Sequence, residues 1–169
     1  MLTRMKSPKS LPHLIHLLIA PGFEETFVAA CLVRLREAGM GIALVGVTRG
    51  EIVGAHGVGM CPDLALEEAE RQVVPRMLIV PGGAQCTRAF AIDPRFYRIL
   101  VNVMEAGTVV LVGEAKSLLQ AEQARVLALH PERILSQGEM DEGDFLEHLV
   151  RFVMGGAFLQ KRAEELTKD

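Results

Sequence analysis

Apolar and polar positions fall along this chain in two alternating patterns. Residues 13–20, 41–47, 77–80 and 108–112 are short, continuous apolar runs, the mark of strands buried on both faces. Between them the period lengthens to that of a helix. Over residues 24–38 the apolar positions are Phe27/Val28, Cys31/Leu32 and Leu35, with acids in the first turn and Gly39 just past the end. Helices are also predicted over 84–91, over 94–106 with proline at the first position, and from about residue 114. Residues 51–61, rich in Gly and Val with a turn signal at His56-Gly57, predict a small hairpin. Pro62-Asp63 opens a short acidic helix over 64–71, and 134–136 is a short fifth core strand. Phe145, Leu146, Leu149, Phe152 and Val153 mark one face of a late helix, which Gly155-Gly156 ends or bends before a polar tail helix over 158–166. Strand–helix alternation of this kind predicts an α/β fold with a mostly parallel, doubly wound sheet.

Composition sharpens the picture. At 169 residues the chain has the length of one domain, expected over 13–169 behind a basic leader at 1–12. The share of AVILMFWYC residues is 50%, and adding glycine while setting tyrosine aside brings it to about 59%, above the roughly 45–50% of soluble domains. The excess is aliphatic, as helix-covered parallel strands require. Arg4, Lys6 and Lys9 before the apolar run at 14–20 imitate a signal peptide, but Pro12, His13 and His16 interrupt the pattern and favour a first strand. A net charge of −3 argues against sequence-independent nucleic-acid binding. No apolar stretch reaches the roughly 18 residues of a membrane span. Three widely spaced cysteines without a CxxC pair fit a reducing cytoplasm better than a disulfide framework or a thiolate metal site. The scattered histidines predict no metal site, and no cofactor is expected.

Candidate chemistry gathers at the carboxyl ends of strands, where open α/β sheets bind ligands. Three loops stand out: Pro21-Gly22-Phe23-Glu24-Glu25, Pro81-Gly82-Gly83 and Gly113-Glu114-Ala115-Lys116. Their glycines allow sharp turns and leave backbone N–H groups facing a ligand. The turn from strand straight into helix at Val112-Gly113-Glu114 has the shape of a nucleophile elbow. Glu114, at a helix N-terminus, is expected either to cap its own helix or to bind a cationic or hydrogen-bonding ligand, with Lys116 as a pairing neighbour. Cys86 follows the Pro-Gly-Gly loop beside Arg88, where a helix N-terminus and a cation would lower a thiol's pKa; the alternative is a passive, half-buried cysteine. Cys31 falls on the apolar face of the first helix and is expected in the core.

The stretches GFEETFVAACLVRLREAG, VGMCPDLALEEA, MLIVPGG and TVVLVGEAKSLLQ, in this order, resemble the ThiJ/PfpI superfamily over residues 14–157. The resemblance implies a flavodoxin-like three-layer sandwich with helices on both faces, and usually a homodimer. Members include glyoxalases, deglycases, chaperones and peptidases. It also implies a reactive cysteine at the elbow, which in this chain falls on Gly113, or on Glu114 if the register slips by one. The acid that the family places five residues past the glycine of the first loop is here Phe27, although Glu24 and Glu25 match the loop's preceding acids. Cys61, in Cys-Pro-Asp, matches a segment that contributes to the dimer contact in relatives, where a packing role is favoured over a redox switch. Members also carry more chain after the elbow helix than residues 121–133 supply here.

Losing the nucleophile of an acyl-transfer enzyme costs on the order of a millionfold in rate. The expectation is therefore a non-catalytic, dimeric, stress-related module that senses a small molecule or binds a protein. Its pocket candidates are Glu24, Phe27, Gly82, Gly83, Gly113 and Glu114. Two readings compete with it: an enzyme of altered chemistry acting on small carbonyl or amide compounds through Glu114 near the Pro81–Gly83 loop, and a redox sensor using Cys86 or Cys61.

Overall fold

Each continuous apolar run becomes a strand because both of its faces are covered. In the computed structural model, which describes residues 15–155, five such runs form β1 (Ile15–Ile19), β2 (Ile42–Gly46), β6 (Met77–Val80), β7 (Thr108–Leu111) and β8 (Ile134–Ser136). With the two-residue β5 (Leu64–Ala65) they make one sheet of order β5-β2-β1-β6-β7-β8, and every pairing in it is parallel. All residues of β1, β2 and β6 are buried. The hairpin β3 (Ile52–Val53) and β4 (Gly59–Met60) stands apart as a separate antiparallel pair.

Parallel neighbours need crossovers, and the helical segments supply them. Helix α1 (Glu25–Glu37) buries the stripe Phe27, Val28, Cys31 and Leu35, and packs on α6 (Glu142–Met154). The contact centres on Phe27 and Phe145, whose rings stack with centroids 6.5 Å apart. Arg34 and Glu147 pair beside it. A second group of helices comprises α2 (Leu66–Glu70), α3 (Ala84–Ala91), α4 (Pro94–Ala106) and α5 (Ala115–Leu129), with α4 touching α2, α3 and α5. Each large apolar side chain fully buried between layers contributes about 1.5–3 kcal/mol relative to exposure.

Local chemistry sets the helix ends. The Asp93 carboxylate accepts a bond from the Arg95 N–H at 2.9 Å and Pro94 opens the first turn, so α4 starts where its unsatisfied donors are covered. Asp141 does the same for α6 by accepting from the Gly143 N–H at 3.0 Å. Helix α5 is two pieces joined at Gln123, which leaves helical geometry at φ −121° and ψ 24°. The Gln123 side-chain amide donates to the Ala91 carbonyl at 3.0 Å, tying the kink to the end of α3.

Two expectations change. Residues 64 and 65 are strand rather than the start of a helix. The Asp63 N–H donates to the Leu44 carbonyl and the Asp63 carboxylate accepts from the Leu44 N–H, both at 2.8 Å, which draws the chain alongside β2. Phe152 is 42% exposed and lies off the buried face formed by Phe145, Leu146, Leu149 and Val153. The leader at 1–12 and the tail helix at 158–166 lie outside the described residues.

Candidate functional site: a cleft at the strand ends

Strands β1, β6 and β7 are parallel neighbours, so the three loops leaving them meet at one edge of the sheet with the β6 loop in the middle. The approach there is close. Gly83 has φ +107°, and a Cβ on it would strike the carbonyl oxygen of Gly22. Only glycine lets the β6 loop seat against the β1 loop in this way. The Glu24 N–H donates to the Gly82 carbonyl at 3.2 Å and completes the join.

Gly113, directly after Val112, also has positive φ, at +57°. A Cβ built there would be in ordinary contact with Gly82 Cα at 3.7 Å. The turn therefore aims its side-chain position at the β6 loop and leaves space for one, yet the residue has none. Its N–H donates to the Gln137 side chain at 2.8 Å.

Glu114 does not cap its own helix and forms no pair with Lys116 among the described residues. Its carboxylate crosses the cleft and accepts the Gly83 N–H at 2.7 Å. That N–H lies at the N-terminal end of α3, where the helix dipole favours a negative charge. Glu24 approaches the same point: a Cβ on Gly82 would lie 3.3 Å from Glu24 Cγ and 3.8 Å from Glu114 Oε2. Glu142, at the start of α6, is pushed up from the usual carboxylate range by burial and then by the charges of Glu24 and Asp141. The mouth of the cleft is acidic.

Glu25, one residue beyond Glu24, has partners that the sequence does not announce. It is 5% exposed and accepts three bonds from the hairpin. These come from the His56 N–H at 2.6 Å, the Val58 N–H at 3.2 Å and His56 Nδ1 at 2.8 Å. Burial pulls its carboxyl upward, but the His56 side chain and the backbone donors outweigh burial and hold it at about 2. His56 is raised in turn, first by its hydrogen bond to Glu25, then by the charges of Glu25 and Glu24. Glu24, Glu25 and His56 each bring one potential metal-ligating atom within 4.8 Å of the others. Because the Glu25 oxygens already accept three donors, the set closes on itself as a latch between α1 and the hairpin. The sequence signal for it was an acid in the first helical turn and a histidine at a turn tip, too common a pair to single out.

The remaining candidates separate. Glu24, Gly82, Gly83, Gly113 and Glu114 come together at the cleft. Phe27 is packed in the α1–α6 core instead. Cys86 is fully buried rather than half-buried, and burial, helped by the charge of Glu114, pushes its thiol up to about 12. Burial thus reverses the expectation of a lowered pKa beside Arg88. Cys31 is buried as expected, its thiol also pushed up to about 12, and Cys61 is exposed. Among the described residues the cleft offers no nucleophile at the elbow. Its two best-placed backbone donors, on Gly83 and Gly113, are both taken by side chains of the same chain.

Comparison with known proteins agrees with this architecture. The model of the DJ-1/PfpI family matches residues 13–127. No curated protein matches the chain. Among solved structures, oxidized DJ-1 from Toxoplasma gondii superposes with a TM-score of 0.73 at 14% identity, covering 90% of this chain and 97% of that one. Drosophila melanogaster DJ-1beta gives 0.70 at 16% identity, covering 93% and 98%. A DJ-1 superfamily protein from Salmonella typhimurium gives 0.69 at 19% identity, covering 90% and 97%. At these identities the likeness is one of fold. Among the described residues no helix is long and apolar enough to cross a membrane.

Proposed function

We propose a non-catalytic role for this chain, which belongs to the DJ-1/PfpI family: a dimeric, stress-related cytoplasmic module that senses a small molecule or binds a protein. The observation that carries the reading is the state of the elbow. Gly113 has the backbone turn and the space of a nucleophile position without a side chain. The Glu114 carboxylate holds the Gly83 N–H, the donor best placed to stabilise a developing oxyanion. An anionic intermediate would meet a carboxylate where catalysis needs a free donor.

The same contact weighs against the enzyme of altered chemistry. Glu114 is engaged in an internal hydrogen bond, with Glu24 close by, rather than poised over an open anion site. The redox reading keeps one supporting observation, the exposure of Cys61, and loses Cys86 to burial. The dimer belongs to this proposal through the family resemblance.

Incubating the purified protein with methylglyoxal and with a fluorogenic peptide tests the reading. Consumption at the buffer rate is expected for both, unchanged in Cys86→Ser. Turnover that survives Cys86→Ser and disappears in Glu114→Gln would replace the proposal with the altered enzyme.

A further inference from the structure

We infer that the groove between α5 and β8, on the flank of the molecule beyond the cleft, binds small molecules with a carboxylate head and an apolar body. The inference is independent of the elbow reading. The groove has a cavity volume of about 300 Å³, at the lower end of the roughly 300–1,000 Å³ of small-molecule sites. Its existence follows from topology. Among the described residues, strand β8 is the last of the sheet, with β7 on one side and no strand on the other, so α5 and the edge of β8 form an open-sided trough.

The kink in α5 sorts the trough by polarity. The piece before Gln123 contributes Lys116 and Gln120, four residues apart on one helical face. The piece after it contributes Ala124, Leu127 and Ala128, again at helical spacing. Helix α5 leaves the carboxyl end of β7, and β8 returns to that end, so helix and strand run in opposite directions. Ser136, the last residue of β8, therefore lies at the same end as Lys116 and Gln120, whereas Pro131 and Ile134 lie with the apolar piece of α5. One end presents an ammonium, an amide and a hydroxyl, and the other is hydrocarbon.

Two further observations fix the sign of the head group. Lys116 has no ion pair or hydrogen bond with another described residue, so no described residue neutralises its charge. The Gln137 N–H donates to the Leu111 carbonyl, and strand alternation then turns the N–H of Ser136 away from β7, toward the free edge. A carboxylate at that end meets a cation and a backbone donor together, a charge-assisted pairing that a neutral or cationic head group lacks. The exposed alanines at 124 and 128 leave room for the apolar body.

Titration of the full chain with sodium octanoate, octan-1-ol and octylamine, followed by amide NMR and calorimetry, tests the inference. Octanoate is expected to bind saturably, with shifts confined to α5 and β8, and octanol at least tenfold more weakly. Octylamine is expected not to bind. Lys116→Gln should weaken octanoate at least tenfold while leaving octanol unchanged, and Ala128→Trp should block both by filling the apolar end. Both substitutions are at exposed positions, and an unchanged amide spectrum elsewhere certifies the fold. Equal binding of the three probes, octanoate binding untouched by Lys116→Gln, or shifts centred on the elbow cleft would overturn the inference. So would octanoate binding that appears only after residues 156–169 are deleted, because the occupant would then be the chain's own tail.

Discussion

The elbow cleft and the α5–β8 groove lie on either side of the same helix N-terminus, and they treat charge in opposite ways. In the cleft, polar groups face one another: Glu114 takes the Gly83 N–H and Gln137 takes the Gly113 N–H. In the groove, among the described residues, Lys116 has no partner and the outer edge of β8 has no neighbouring strand. A site becomes available to a ligand through what its own chain leaves unsatisfied, since a buried or partly buried donor already paired gains little from a second acceptor. At the turn of Gly113 and the loop it faces, two side chains of the same chain take both backbone donors.

Substitutions that separate the two regions sharpen this contrast. The largest effect is expected at Gly83→Ala, where a Cβ meets the Gly22 carbonyl and φ is +107°. Such strain plus backbone displacement should cost about 3 kcal/mol in urea unfolding. Gly113→Ala should cost less, about 1–2 kcal/mol, because the left-handed backbone is its main penalty and the space is open. Equal losses at the two glycines would contradict the account of how the loops meet.

The latch behind the cleft titrates in a defined window. Glu25 is held at about 2 in the folded protein, against about 4.3 in an unfolded chain. Its contribution to stability is therefore complete above about pH 4.3 and disappears as pH falls through the folded value. His56 is raised above its ordinary value of about 6.5. Its contribution is complete below that ordinary value and fades as pH rises through the folded one. The gap in Tm between the protein and Glu25→Gln should be widest from about pH 4.5 to 6.5 and narrow at both pH 3 and pH 9. A gap that stays constant across this range would rule out the ion pair as the latch. The smallest effect belongs to the groove: Lys116→Gln should change stability by no more than about 0.5 kcal/mol, since the side chain is exposed and pairs with no described residue.

The frame was legible in the sequence because burial leaves a periodic trace. The apolar run at 77–80 and the proline-led helix over 94–106 match the strand and helix observed, and the run at 108–112 outlasts its strand by one residue. The loops that build the cleft were legible in outline, since an open parallel sheet gathers such turns at the carboxyl ends of its strands. Four things were not legible, each for a physical reason. The partner of Glu114 is a backbone N–H 31 residues earlier, and no side-chain pattern encodes a backbone donor. The Glu25–His56 latch joins positions 31 apart on elements whose approach depends on the whole sheet. Cys86 sits beside Arg88 in sequence but inside the core in space, and burial, more than any neighbouring charge, decides its pKa. The short strand at Leu64 was hidden because its pairing with β2 is drawn in by Asp63 rather than by apolar alternation.

The claim at the centre of the account is that Glu114 already occupies the donor an active elbow would need. Hydrogen exchange at the Gly83 amide, compared between the protein and Glu114→Ala at one pH, measures this directly. The account predicts slow exchange at Gly83 that accelerates at least tenfold in Glu114→Ala, with exchange along β6 and β7 unchanged. Equal exchange rates at Gly83 in the two proteins would contradict it.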